Sequence, residues 1–142
     1  MKRTIERTVE YPHPPERVWR ALTQAEALAV WLMPNDFEAK LGHRFTFRTK
    51  PRPGFDGIVR CEVIELDPPR TMTWSWEGGW VKTVVRFRLE PTATGTRLLF
   101  THAGFDGLRA VLLSHMMGRG WGKMLERKLP EVIAGASVAA GC

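Results

Sequence analysis

Pro15-Glu16-Arg17-Val18-Trp19-Arg20-Ala21-Leu22-Thr23 is the stretch on which the fold turns. Proline suits a first helical position, where its missing N–H is not needed, and Glu16 complements the positive end of the helix dipole. Val18, Trp19 and Leu22 fall on one face, so the segment reads as an amphipathic helix whose inward stripe includes Trp19. Thr23-Gln24-Ala25-Glu26 then has the form of a capping box, opening a second short helix that carries Leu28 and Trp31 inward. Upstream, Ile5, Val9 and Tyr11 alternate with Glu6, Thr8 and Glu10, the period of a half-buried strand. The order at the front of the chain is strand, helix, helix.

Beyond Leu41-Gly42 the period stays at two. His43-Arg44-Phe45-Thr46-Phe47-Arg48 reads as a strand ended by Lys50-Pro51-Arg52-Pro53-Gly54,. Val59, Cys61 and Val63 alternate with Arg60 and Glu62 up to the turn Asp67-Pro68-Pro69-Arg70, whose prolines donate nothing to a ladder. Met72, Trp74 and Trp76 share one face of the next strand. Glu77-Gly78-Gly79 turns the chain into a strand reaching about Glu90, with Val85, Phe87 and Leu89 on one side and Arg86, Arg88 and Glu90 on the other. After the turn Pro91-Thr92-Ala93-Thr94-Gly95, Leu98, Phe100 and His102 complete an antiparallel meander with one apolar and one wet face.

From about Asp106 the pattern becomes helical, with Leu108, Leu112 and His115 or Met116 on one stripe and Trp121, Leu125 and Leu129 on another,. Gly118 and Gly120 mark a break, a kink or a close approach to the sheet. The segment 135–142 is expected to fray, leaving one domain over 1–134. The echo of Gly54-Phe55-Asp56-Gly57 in Gly104-Phe105-Asp106-Gly107 is too brief for a repeat, and both read as loops.

Composition narrows the function classes. The 142 residues, 44% hydrophobic and 25% charged, suit one soluble domain,. No apolar run approaches the ~18 residues of a membrane helix, and the start Met1-Lys2-Arg3-Thr4-Ile5-Glu6 has no apolar leader, so a cytoplasmic location is expected. The formal net charge of +6 is scattered, without a basic run or a reader motif, so nucleic acid is not expected as a partner,. Cys61 and Cys142 make neither a disulfide framework nor a metal site.

Chemistry is sparse. Ser75, Ser114 and Ser137 lack the Gly-x-Ser-x-Gly surroundings of a hydrolase nucleophile, and Cys61 lies mid-strand,. Gly118-Arg119-Gly120-Trp121-Gly122 has the wrong spacing for a nucleotide loop and follows no strand. His13, His43, His102 and His115 are isolated, so no metal and no cofactor is expected.

Strand, two short helices, a curved antiparallel sheet and a long terminal helix form the order of the α+β helix-grip fold. The chain resembles the START-like (SRPBCC) superfamily, which includes the birch pollen allergen and the polyketide cyclases. Within it, the chain is most similar to the family of the activator of the heat-shock-chaperone ATPase (AHSA-type). The residues that carry this are Pro15 to Trp19, Leu22-Thr23, Trp31, Asp67-Pro68-Pro69-Arg70, Val84 to Pro91, Gly95-Thr96-Arg97-Leu98, Gly120-Trp121, Leu125 and Leu129. They are packing and turn residues, so the resemblance speaks to fold more than to activity. The eukaryotic activator uses a further N-terminal domain in chaperone binding; this sequence starts at the second domain of that pattern, so co-chaperone activity is not the first expectation from the resemblance.

The resemblance implies a cavity between sheet and terminal helix, and the residues expected to line it are Phe47, Trp74, Trp76, His102, Leu112, His115 and Met116. Six tryptophans favour aromatic walls, and Met33, Met72, Met116 and Met117 would make them adaptable,. Three functions compete: binding of a small hydrophobic ligand, which is preferred; a cyclase or hydrolase using His102 or His115 for proton transfer; and a chaperone-activator type of interaction module. Gly118 and Gly120 are expected to let the helix bend as a gate.

Overall fold

The computed structural model describes the backbone of residues 1–79 and 81–140 and the side chains of 1–79 and 81–135. The strands are β1 (Lys2–Tyr11), β2 (Arg44–Arg48), β3 (Ile58–Asp67), β4 (Thr71–Gly78), β5 (Val81–Thr92) and β6 (Gly95–Asp106). They form one antiparallel sheet in the order β1-β6-β5-β4-β3-β2. Since β1 and β2 are opposite edges, the intervening helices α1 (Pro15–Thr23) and α2 (Ala25–Trp31) carry the chain from one edge to the other.

Burial alternates along β5 and most of the other strands, while β4 also buries Thr71 and Thr73 on its other face, and the inward set is dry: Phe45, Phe47, Val63, Met72, Trp74, Val85, Phe87, Leu98 and Phe100 are all buried. A register shift between Val63 and Glu65 interrupts β3 and adds to the curvature of the sheet,. Pro15 occupies the first turn of α1, and Val18, Trp19, Ala21 and Leu22 pack inward. Trp31 locks the two helices together by donating its indole N–H to the Ala21 carbonyl at 2.9 Å.

Two local expectations are corrected. The capping box does not form, because the Thr23 hydroxyl bonds back to the Trp19 carbonyl at 2.7 Å and α2 starts without a side-chain cap,. Of the two Gly-Phe-Asp-Gly segments only the first is a loop; Gly104-Phe105-Asp106 continues β6, with Phe105 opposite Arg3 of β1.

The terminal helix comprises α3 (Leu108–Lys123), a π-helical turn at Met124–Lys128 and α4 (Leu129–Ala140). The helix runs through Gly118 and Gly120 without a break; the irregularity lies one turn later, and Pro130 accounts for it. In the wide turn Leu129 N–H bonds the Met124 carbonyl. The next donor, at residue 130, would serve Leu125, but proline has none. The Tyr11 hydroxyl fills that vacancy, donating to the buried Leu125 carbonyl at 2.6 Å. The backbone of the expected tail is helical to Ala140, whereas Gly141, Cys142 and the side chains of 136–140 lie outside the described residues.

The face that α3 turns inward is not the apolar stripe expected. Ala110, Ser114, Gly118, Trp121 and Gly122 are buried, whereas Leu108, Leu112 and Met116 are 63%, 60% and 67% exposed. Small residues sit inward because α3 lies close against β1, and an added Cβ at Gly122 would be 3.3 Å from Arg7 Nε.

Candidate functional site

Trp76, on the inward face of β4, separates two regions of the interior. On one side lies the aromatic core around Trp74. On the other, an open cleft of about 450 Å³ runs between α3 and the ends of β3, β4 and β5, with the 52–55 loop as its rim. Its walls include Met33, Phe55, Val59, Trp76, Val81, Leu113 and Met117. An apolar annex of about 140 Å³, lined by Leu32, Met33, Trp76, Met117, Gly120, Trp121 and Met124, shares three of those residues. Met33 and Met117 therefore belong to both spaces, and unbranched thioether side chains fit irregular apolar shapes.

The rings of Trp76 and Trp121 stand 5.6 Å apart and are held from behind by His102. Trp121 donates its indole N–H to His102 Nδ1 at 3.0 Å. An indole only donates, so Nδ1 is the acceptor and the imidazole proton resides on Nε2. Nε2–H then donates to the Thr83 hydroxyl at 2.6 Å, and that hydroxyl donates to the Trp76 carbonyl at 3.2 Å. Every donor in the chain from Trp121 to Trp76 has one acceptor. Burial, without a counter-charge, pushes the His102 pKa down to about 3,, because a second ring proton would face the Trp121 N–H. His102 is thus a neutral brace for two tryptophans that line the annex.

The residues expected to line a cavity separate into three groups. Trp76 lines the cleft, and Met116 stands at its edge while remaining mostly exposed. Phe47 and Trp74 are sealed in the core, where Trp74 is ringed by Phe37, Phe45, Phe47 and Phe87 at 4.9 to 5.8 Å. Leu112 and His115 face solvent on α3, so His102 and His115 do not form a pair. Phe55, Val59, Val81, Leu113 and Trp121 were not assigned to the cavity from sequence; for Leu113, Met117 and Trp121 the spacing along α3 is the signal that places them on one wall.

No acid–base or nucleophilic constellation faces the cleft among the described residues; Thr49 and Arg52 are its polar contributors. Cys61 is buried, and desolvation pushes its thiol pKa up, which suppresses the reactive thiolate,. Among the described residues no group of three His, Cys, Asp or Glu side chains is arranged to hold a metal ion. No described helix is long and apolar enough to cross a membrane.

A curved six-stranded sheet gripping a long C-terminal helix defines a helix-grip protein of the START-like superfamily. The family described as "Activator of Hsp90 ATPase homolog 1-like protein" matches residues 12–134, and the chain belongs to it. Among solved structures, a protein from Mesorhizobium loti is 34% identical over 93% of this chain and 97% of that one, with a TM-score of 0.84. A protein from Bacillus halodurans solved in solution is 26% identical over 94% and 99% of the two chains, with a TM-score of 0.79. The Aha1 dimer from Colwellia psychrerythraea, 23% identical over 87% and 90% of the two chains with a TM-score of 0.72, shares the fold. Among curated proteins, none matches the sequence.

Proposed function

We propose that the protein binds a small hydrophobic ligand, in the cytoplasm, in the cleft beside Trp76 and the adjoining annex beside Trp121. The observation that carries this reading is that the two apolar spaces adjoin and share Met33, Trp76 and Met117 as walls. Together they have the size and apolar character of small-molecule sites. The His102 chain fixes the tryptophan walls, and the methionines adapt the remainder to the ligand.

The test is a titration with the neutral fluorophore N-phenyl-1-naphthylamine, read by its emission and by tryptophan quenching. Saturable binding that weakens about tenfold in Trp76→Ala supports the reading, a loss of the size expected when an aromatic wall is removed. Absence of saturable binding in the folded protein overturns it.

A protein partner is the second reading, on a separate observation: Leu108, Leu112 and Met116 form an exposed apolar row along α3 next to the cleft. That row, with the family membership, supports contact with a chaperone of the kind the family is named for. Stimulation of a heat-shock-chaperone ATPase that is lost in Leu112→Asp would favour it over ligand binding.

A further inference from the structure

The opposite flank of α3 has the reverse chemistry. Strand β1 is a sheet edge, and its residue Arg7 is half-buried, at a position where alternation calls for an apolar side chain. Its guanidinium lies on the helix, donating to the Gly118 carbonyl at 2.9 Å and to the Glu6 carbonyl at 3.2 Å. Gly118 and Gly122, one turn apart, make the seat; a Cβ at Gly122 would stand 3.3 Å from Arg7 Nε. The two bonds use two of the five N–H groups of an arginine. Neither acceptor is a carboxylate, so the charge is positioned but not neutralised.

Beside it opens a groove of about 450 Å³ lined by Arg7, Arg119, Gly122, Lys123, Glu126 and Arg127. Arg119 and Lys123 are successive i, i+4 residues of α3, and the π-helical turn contributes Glu126 and Arg127. Four cations thus face one carboxylate. Among the described residues none of the four is within ion-pair distance of an acid, whereas Arg44, Arg60, Arg70, Arg86 and Arg97 each are. Like charges gathered without partners repel one another, and a bound anion removes that cost.

We propose that this groove is a binding site for a small polyanion bearing phosphate groups, with Arg7 as its oriented fork and Arg119, Lys123 and Arg127 as its surrounding charge. Arginine presents paired N–H groups that match phosphate oxygens, and lysine adds a point charge. Among the described residues no aromatic side chain lines the groove, so it lacks the stacking platform of a single-strand nucleic-acid channel. The absence of apolar side chains from its walls also separates it from a pocket for an acyl chain. The site is independent of the hydrophobic cleft, from which the thickness of α3 divides it.

The probe is inorganic tripolyphosphate, titrated by calorimetry at about 50 mM salt, with amide chemical shifts recorded in parallel and salt raised in a second series. Saturable binding is expected, with shifts concentrated at Gly118 to Arg127 and at Arg7. Arg119→Glu combined with Lys123→Glu, both exposed positions, should weaken it by about tenfold or more while N-phenyl-1-naphthylamine binding in the cleft stays unchanged. Glu126→Gln should tighten it severalfold by removing the opposing charge. Unsaturable binding, shifts spread over the whole basic surface, or equal affinity in the charge-reversed variant each overturns the proposal. So does sedimentation with phosphatidylserine vesicles that depends on the same cations when tripolyphosphate does not bind, since the groove would then serve an anionic membrane surface.

Discussion

Trp74 and Trp76 lie two residues apart on the same face of β4, and they end in different worlds. Trp74 is wholly sealed among Phe37, Phe45, Phe47 and Phe87, and its buried indole N–H has no hydrogen-bond partner among the described residues. Trp76 retains 5% exposure, lines both apolar spaces, and is braced through its carbonyl by Thr83 and His102. The difference comes from what lies above the sheet. The segment after α2 brings Phe37 over Trp74, whereas above Trp76 the flexible Met33 and Met117 leave room. One strand therefore supplies both the rigid part of the core and the wall of the cleft.

Truncation should separate the two tryptophans most strongly. Trp74→Ala leaves an enclosed void and is expected to cost about 3 to 5 kcal/mol, a large share of a domain's stability. In Trp76→Ala the void merges with the existing cleft, so water can enter and the loss should be about half as great. Chemical denaturation of both variants checks this, and equal losses would erase the distinction drawn between core and cleft. Trp19, 9% exposed on the inward face of α1, belongs with Trp74; Trp19→Ala should cost a similar amount and reduce soluble yield.

Acid sharpens the same comparison at His102. Its folded pKa is depressed to about 3, below the ordinary value of 6.5, so the unfolded chain takes up the proton first. Stability from this residue is fully present above pH 6.5 and falls as pH drops from there toward 3, on the order of 1 kcal/mol per pH unit. His102→Gln removes the titration, and the difference in pH slope between it and the parent protein isolates the term. Identical slopes would mean that His102 takes up its proton as readily in the fold as in the unfolded chain, and burial would not be holding it neutral,.

The layout was legible because period-two alternation and the Pro15 helix start are local signals, read without knowing what packs above them. The register of α3 was not legible, for a definite reason. Two stripes compete along it, and the more apolar one, Leu108, Leu112 and Met116, is the exposed one. Ala110, Ser114, Gly118 and Gly122 face the sheet because proximity to β1, rather than hydrophobicity, decides the contact. The same reason hid Arg7, whose inward placement makes sense only opposite two glycines more than a hundred residues away. Trp76, Phe47 and Trp74 share an inward face that their strands set and the sequence shows; what covers each of them, which decides whether it borders the cleft or the closed core, is not a local signal.

The Tyr11 hydroxyl gives a smaller effect at the closed end of the molecule. It satisfies the Leu125 carbonyl that Pro130 leaves without a donor. Tyr11→Phe keeps the ring and strands a buried acceptor, a loss of about 1 to 3 kcal/mol. Restoring the donor by Pro130→Ala in the Tyr11→Phe background should recover part of it, because residue 130 regains its N–H. A double-mutant cycle by urea denaturation measures the coupling, and strict additivity would dissociate the tyrosine from the proline.

Gly120→Ala should have the smallest effect on stability and the opposite sign. No atom lies within 4 Å of a Cβ built there, and the backbone is helical, so the substitution meets no clash and removes the entropy cost of a helical glycine. A gain of about 0.5 to 1 kcal/mol follows, seen as a rise of a few degrees in melting temperature. The new methyl group also projects toward the annex, whose lining includes Gly120. Affinity for N-phenyl-1-naphthylamine should therefore fall only slightly if the probe occupies the wide cleft, and more if it extends into the annex. Since α3 is continuous through Gly118 and Gly120, stopped-flow entry and release should be unchanged in the variant. Slowed exchange without loss of affinity would restore a hinge at these glycines.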